Sequence, residues 1–188
     1  MRDKVKDLLL QSITVKEDIL RTKIGDILDI ANLMIDCLKK KGKVILFGNG
    51  GSASDSQHIA AELVGRFKKD RNALAAIALT TNTSVLTSLA NDYGYDIIFA
   101  KQIEALGQKN DVAVGISTSG RARNVINGIK QAKKMDLKTV VLTGAYGTEL
   151  AKLADASLVV GSPVTARVQE VHIVVGHILC ELIESALC

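Results

Sequence analysis

Five short runs of β-branched and other apolar residues recur along this chain. Each ends in small polar residues, and stretches with helical spacing separate them. The runs are "KVILFGNGG" from Lys43, then residues 73–80 ("ALAAIALT"), 111–118 ("DVAVGIST"), 138–144 ("KTVVLTG") and 156–162 ("ASLVVGS"). Strands apolar on both faces need covering on both faces, and a parallel sheet between two helical layers provides this. The stretches near 52–67, 83–107, 121–135 and 147–154 supply the helices, and residues 165–187 form a long final one. The single proline, Pro163, stands just ahead of that helix, where proline is tolerated. Residues 1–40 repeat apolar side chains at helical spacing (Val5, Leu8, Leu9, Ile13, Ile19, Leu20, Ile24, Ile27, Leu28) and read as one or two amphipathic helices. The predicted fold is one doubly wound α/β domain over 1–188, with a five-stranded parallel sheet and an N-terminal helical arm. A sheet domain rarely needs so much extra helix, so the arm is assigned to a subunit interface.

Charge and composition narrow the partners. The net charge of +4 is spread along the chain with no basic block, and aromatic residues make up only 3%. Neither a nucleic-acid stripe nor a base-stacking platform is expected. The three cysteines, Cys37, Cys180 and Cys188, have no metal-ligand spacing and read as free thiols of a reducing cytoplasm. Cys37 and Cys180 fall in apolar helical patterns and are expected to fill core. No apolar run is long enough for a signal peptide or a membrane span, so a soluble, cytoplasmic protein is expected.

In an open parallel sheet, ligands collect beyond the carboxyl ends of the strands. Those ends read Gly48-Asn49-Gly50-Gly51-Ser52, Thr80-Thr81-Asn82-Thr83-Ser84, Ser117-Thr118-Ser119-Gly120 and Thr143-Gly144. Hydroxyls, amides and free backbone N–H groups at helix starts suit a phosphate ester. Helix capping accounts for any one such cluster, but less well for several on one sheet edge. Gly48 to Ala53 matches a dinucleotide fingerprint, yet no Asp or Glu lies between Asp70 and Asp92 to hold a ribose. A P-loop lysine is missing as well. A small phosphorylated metabolite is preferred to a nicotinamide cofactor.

His58 and Glu62, four residues apart, share one face of the helix that grows from the first glycine turn. On a surface helix such a pair contributes only a few tenths of a kcal/mol and needs no function. Ile59, Ala60, Ala61, Leu63 and Val64 around them predict an apolar setting, in which burial without a role is costly. The final helix carries Gln169, Glu170, His172 and His177 within an otherwise apolar segment. Gln169 and His172 share a face, and His177 lies about 80° round from Gln169. Two helices that bring these groups together suit either a Zn²⁺ site or an acid–base pair, and spacing does not choose between the histidines.

"GNGGSASDSQHIAAELVGRF", "TSLANDYGYD", "VGISTSG" and "ARVQEVHIVVGHILCELIE" resemble the sedoheptulose-7-phosphate isomerases (phosphoheptose isomerases) of the SIS sugar-isomerase superfamily. The resemblance covers nearly the whole chain. It implies a flavodoxin-like SIS domain, a cytoplasmic homotetramer and one zinc ion per subunit, serving lipopolysaccharide or other surface-glycan synthesis. The metal ligands it implies are His58, Glu62, Gln169 and His177, with His172 left as a structural or supporting residue. The implied substrate contacts are Asn49, Gly50, Gly51, Asn91, Asp92, Ser117, Thr118, Ser119 and Gln169. Aldose–ketose isomerisation through an enediol makes Glu62 the candidate for the carbon-bound proton and His177 the candidate on the oxygen side. One departure stands out. The family's loop usually continues "STSGNS", whereas this chain reads "STSGRARN", so Ala122 replaces a phosphate-facing serine beside Arg121 and Arg123. Either the arginines replace that contact as charge-assisted donors or the preferred sugar phosphate differs. The competing expectations are a non-catalytic SIS protein that binds the replication initiator, an isomerase of another phosphosugar, and a sugar-phosphate sensor.

Overall fold

The computed structural model describes residues 1–188. Two helices come first, α1 (Arg2–Thr22) and α2 (Ile24–Lys39), separated at Lys23. Then follow β1 (Val44–Gly48), α3 (Gly51–Val64), β2 (Ala76–Ala78) and α4 (Thr83–Tyr93). A 3₁₀ turn at Tyr95–Ile97 leads into α5 (Ile98–Leu106), β3 (Val112–Ser117) and α6 (Arg123–Lys134). The chain ends with β4 (Lys138–Gly144), α7 (Thr148–Ala151), β5 (Ala156–Val160) and α8 (Thr165–Leu187). All pairings are parallel, in the order β2-β1-β3-β4-β5.

Alternation along each strand feeds two cores. Val44 and Leu46 of β1 face one side with Val112, Val114 and Val140, where α2, α3 and α8 cover them. Ile45 and Phe47 face the other side with Ala113 and Val141, beneath α5 and α6. This two-sided burial is what continuous apolar strands require. The chain leaves β1 toward β2, then crosses back to β3, so the strand order reverses beside β1. Open parallel sheets hold ligands beyond the carboxyl tips at such a reversal.

The structure differs from the sequence reading in four places. The stretch 83–107 is two helices, because Gly94 takes φ 89 and ends α4. The second strand shrinks from 73–80 to three residues at the sheet edge, where β1 is its only partner. The stretch 147–154 yields one helical turn, α7. The 1–40 arm divides: α2 buries Ile27, Ile30, Ala31, Met34, Cys37 and Leu38 in the core, while α1 buries only Ser12 and Ile19. A full apolar stripe makes α2 part of the domain and leaves α1 as the projecting helix.

Candidate active site

The tip of β1 runs directly into α3. Gly50 makes the turn at φ 56, a conformation that side chains rarely adopt, and Gly51 starts the helix. Asn49 is held by a reciprocal pair with buried Asn124. Each side chain donates its amide N–H to the other's Oδ1 at 2.9 Å. The Tyr95 hydroxyl donates to the same Asn49 Oδ1 at 3.2 Å. At the tip of β3, Ser117 is buried and its carbonyl accepts from Thr143 Oγ1 at 2.6 Å. Ser119 is exposed, and its Oγ accepts from the Arg121 N–H at 3.2 Å. Gly120, at φ 64, is packed against the backbone of Gly147, so a side chain there would collide. The Arg121 guanidinium lies 5.6 Å from the centre of the Tyr146 ring, and Arg123 pairs with Asp96 at 3.6 Å. Asn91 and Asp92 are exposed in the last turn of α4, where the Asn91 amide donates to Asp92 Oδ1 at 2.9 Å.

α3 and α8 run side by side in the same direction. They touch at the level of Gly51 and Gln169, and again where Gly176 admits the Ile59 side chain. Between and beyond these contacts, three of the expected ligands converge. His58 Nε2 lies 3.1 Å from Glu62 Oε1 and 3.3 Å from His177 Nε2, and the ligand atoms of all three lie within 4.8 Å of one another. Around a tetrahedral ion with Zn–N and Zn–O bonds near 2.0–2.1 Å, adjacent ligand atoms stand about 3.3 Å apart. Two imidazole nitrogens and a carboxylate oxygen at these spacings suit a divalent cation. Gln169, the fourth expected ligand, stands apart from this cluster, eight residues, about 12 Å along the axis and about 80° round from His177. Its amide fills the space over Gly51 that a Cβ would occupy.

The apolar setting expected of the His58–Glu62 pair is not what the fold provides. Their side chains are 47% and 25% exposed, because only Ile59, Ala60 and Leu63 of the apolar neighbours turn inward, while Ala61 and Val64 share the open face. His172, by contrast, is fully buried, with Nε2 3.3 Å from the Thr143 carbonyl. Burial pushes its pKa down to about 4, outweighing that hydrogen bond, so the ring is neutral at pH 7. It belongs to the packing beneath the site.

Several site residues escaped the sequence reading. Asp55, one turn before His58, keeps one carboxylate oxygen buried without a partner. Burial pushes its pKa up to about 6, and the opposing pull of His58 is smaller. Phe67 lays its ring 5.7 Å from that of His177, with the planes at 33°. Cys180 is buried beside Glu62, and burial first, then the carboxylate, pushes its thiol up to about 12. Of these, only the Asp55–His58 spacing of three residues left a signal in the sequence.

The SIS domain family model matches residues 10–144. A phosphoheptose isomerase of Aquifex aeolicus is 50% identical over 188 residues, covering 100% of this chain and 98% of that protein. Among solved structures, the phosphoheptose isomerase of Neisseria gonorrhoeae superposes with a TM-score of 0.92 at 43% identity, covering 98% of each chain. That of Francisella tularensis gives 0.94 at 35% identity over 97% of each chain.

Proposed function

This chain belongs to the phosphoheptose isomerase family of SIS-domain proteins, and we propose that it interconverts sedoheptulose 7-phosphate and D-glycero-D-manno-heptose 7-phosphate. It is an aldose–ketose isomerase, and the reaction moves a proton between C1 and C2 through an enediol. The observation that carries this reading is the meeting of His58, Glu62 and His177 between α3 and α8. The similar proteins at 43–50% identity are phosphoheptose isomerases by name, so the non-catalytic and other-phosphosugar readings are not favoured.

The residues divide the work by position. Backbone N–H groups at the start of α3 and in the Ser117–Gly120 turn, with Thr118 and Ser119, receive the phosphate; Arg121 supplies charge in place of the hydroxyl missing at Ala122. Asn49 uses one amide hydrogen on Asn124, so its second N–H is free to orient a sugar hydroxyl. Gly50, Gly51, Asn91, Asp92 and Gln169 complete the substrate contacts in this reading. Glu62 Oε1 faces His58 while Oε2 accepts no hydrogen bond, which leaves that oxygen to take the carbon-bound proton. His177 serves the oxygen side. His58, Glu62, Gln169 and His177 would hold one Zn²⁺ per subunit, which supplies Lewis-acid polarisation of a carbonyl when bound.

Assembly and location follow the same reading. An apolar groove of about 300 Å³ between α1, α2 and α8 is lined by Ile19, Leu20, Ile24, Leu28, Val174 and Ile178. Its exposed apolar lining supports a reading in which a neighbouring copy of the chain covers it, as in a homotetramer. No helix is long and apolar enough to cross a membrane, and the free thiols suit the cytoplasm.

The test is direct. The purified protein is incubated with sedoheptulose 7-phosphate and followed by NMR. An aldoheptose phosphate is expected, and its absence refutes the assignment. Metal analysis of protein purified without chelators is expected to find zinc. No zinc, with no activation by added zinc, leaves acid–base catalysis alone.

A further inference from the structure

Beyond α3 the chain runs without regular structure from Gly65 to Ala75, yet this segment is tied to α8 by a buried ion pair. The side chains of Arg71 and Glu184 are 4% and 3% exposed, with Nε 3.1 Å from Oε1. Glu184 also accepts three backbone N–H groups, from Phe67 at 3.2 Å, Lys68 at 2.9 Å and Lys69 at 3.0 Å. Burial alone would raise its pKa; these donors and Arg71 outweigh that and hold it below the usual carboxylate range.

Arg71 does more than neutralise Glu184. Its Nη2 donates to the Glu62 carbonyl at 2.9 Å, and Nη1 to the carbonyls of Leu63 at 2.9 Å, Gly65 at 3.1 Å and Asn72 at 3.0 Å. The last carbonyls of a helix have no partner within it. α3 carries no basic residue in its last turn, so this guanidinium, from seven residues beyond the helix, is its C-terminal cap. One of the carbonyls it grips belongs to Glu62 itself. On the other helix, Glu184 lies two turns after His177, only about 20° round the axis. Phe67, whose N–H is held by Glu184, rests its ring on that of His177.

We propose that the buried Arg71–Glu184 pair is a positioning device for the site: it clamps the end of α3 to α8, holds His58 between Glu62 and His177, and seats Phe67 against the His177 imidazole. The inference rests on the reading of His58, Glu62 and His177 as a metal and proton-transfer centre. An ion pair serving only as fold glue predicts lost stability and an unchanged centre in whatever remains folded. A positioning device predicts a loosened centre in folded protein.

The test uses the full-length chain with Arg71→Lys, which keeps the charge but cannot span four carbonyls, and Phe67→Leu, which leaves the ion pair intact. Zn²⁺ affinity is measured on metal-stripped protein by competition with a chromogenic chelator, alongside kcat and KM at temperatures where circular dichroism shows the native fold. Arg71→Lys is expected to lower both Zn²⁺ affinity and kcat by at least about tenfold, the usual scale for a residue that supports a metal ligand. Its KM is expected to stay within about twofold, since the phosphate end is untouched. Phe67→Leu is expected to lower Zn²⁺ affinity by at least about threefold. Smaller losses in folded Arg71→Lys overturn the proposal. Should that variant fail to fold, Phe67→Leu decides alone, by its own threshold. A wild type that binds Zn²⁺ without turnover defeats the isomerase reading instead and leaves the clamp to be judged on affinity. A wild type that turns over without metal leaves it to be judged on kcat. A wild type with neither property overturns both.

Discussion

Replacing Glu62 by Gln separates chemistry from stability more cleanly than any other change at this site. The substitution keeps the side-chain volume and an oxygen that can bind a cation, and it removes the negative charge and the basicity. Its structural cost is small. The carboxylate meets His58 at 3.1 Å across one turn of α3, with the two side chains 25% and 47% exposed. An exposed pair at this spacing contributes about 0.3–0.5 kcal/mol. In a domain of this size that moves Tm by only about 1–2 °C. The chemical cost is far larger, because a positioned general base contributes roughly 10²–10⁴-fold, or about 3–5 kcal/mol of barrier. The assay is paired: Tm by calorimetry, and kcat/KM for sedoheptulose 7-phosphate by NMR on the same preparation. A Glu62→Gln protein with wild-type Tm and kcat/KM within about tenfold of wild type refutes the assignment of Glu62 as base. A Tm loss above about 10 °C refutes the claim that its role is chemical.

Gly51→Ala places a methyl group where the Gln169 amide now sits, at a residue with ordinary helical backbone. Its Tm should hold or rise slightly, since Ala in a helix gains about 0.5–1 kcal/mol over Gly, while Zn²⁺ affinity falls by about tenfold; retained affinity removes Gln169 from the ligand set. His172→Gln should flatten the acid limb of the stability curve. In the folded protein His172 titrates at about 4, and in the unfolded chain at about 6.5, so wild-type stability falls as pH drops through that window, by about 3 kcal/mol in all. Asp55, raised to about 6, acts in the opposite sense over the same range but is common to both proteins, so the difference between their urea titrations isolates His172. Arg121→Ala should raise KM for the sugar phosphate about tenfold at low salt with kcat little changed, the effect shrinking as ionic strength rises; an unchanged KM excludes Arg121 from the phosphate contact.

Those parts of the molecule that obey local rules were the legible ones. Val44 to Phe47 and Val112 to Ile116 announce a sheet buried on both faces, because each needs apolar neighbours above and below. The His58–Glu62 spacing announces one helix face. Its exposure was not legible, because a stripe that faces the core and a stripe that surrounds a site look alike in a linear pattern. The break at Gly94 was hidden in a stretch whose apolar spacing continues on both sides of it. Asn49 with Asn124, Phe67 with His177, and Arg71 with Glu184 lie 75, 110 and 113 residues apart. Only the packing of the finished elements brings such groups together, and no local propensity encodes it.

The parallel run of α3 and α8 carries a consequence for the order in which this protein comes to life. α8 follows every strand in the chain, so the ribosome releases β1 to β5 and the turns at their carboxyl tips before His177 and Glu184. Domains gather structure from the amino end during synthesis. A nascent or clipped chain that stops before Thr165 lacks His177 and Glu184, and it also lacks the helix that packs over Val112, Val114 and Val140. The contact between His58 and His177 is the last of this cluster to become possible and the first that trimming the final helix would remove.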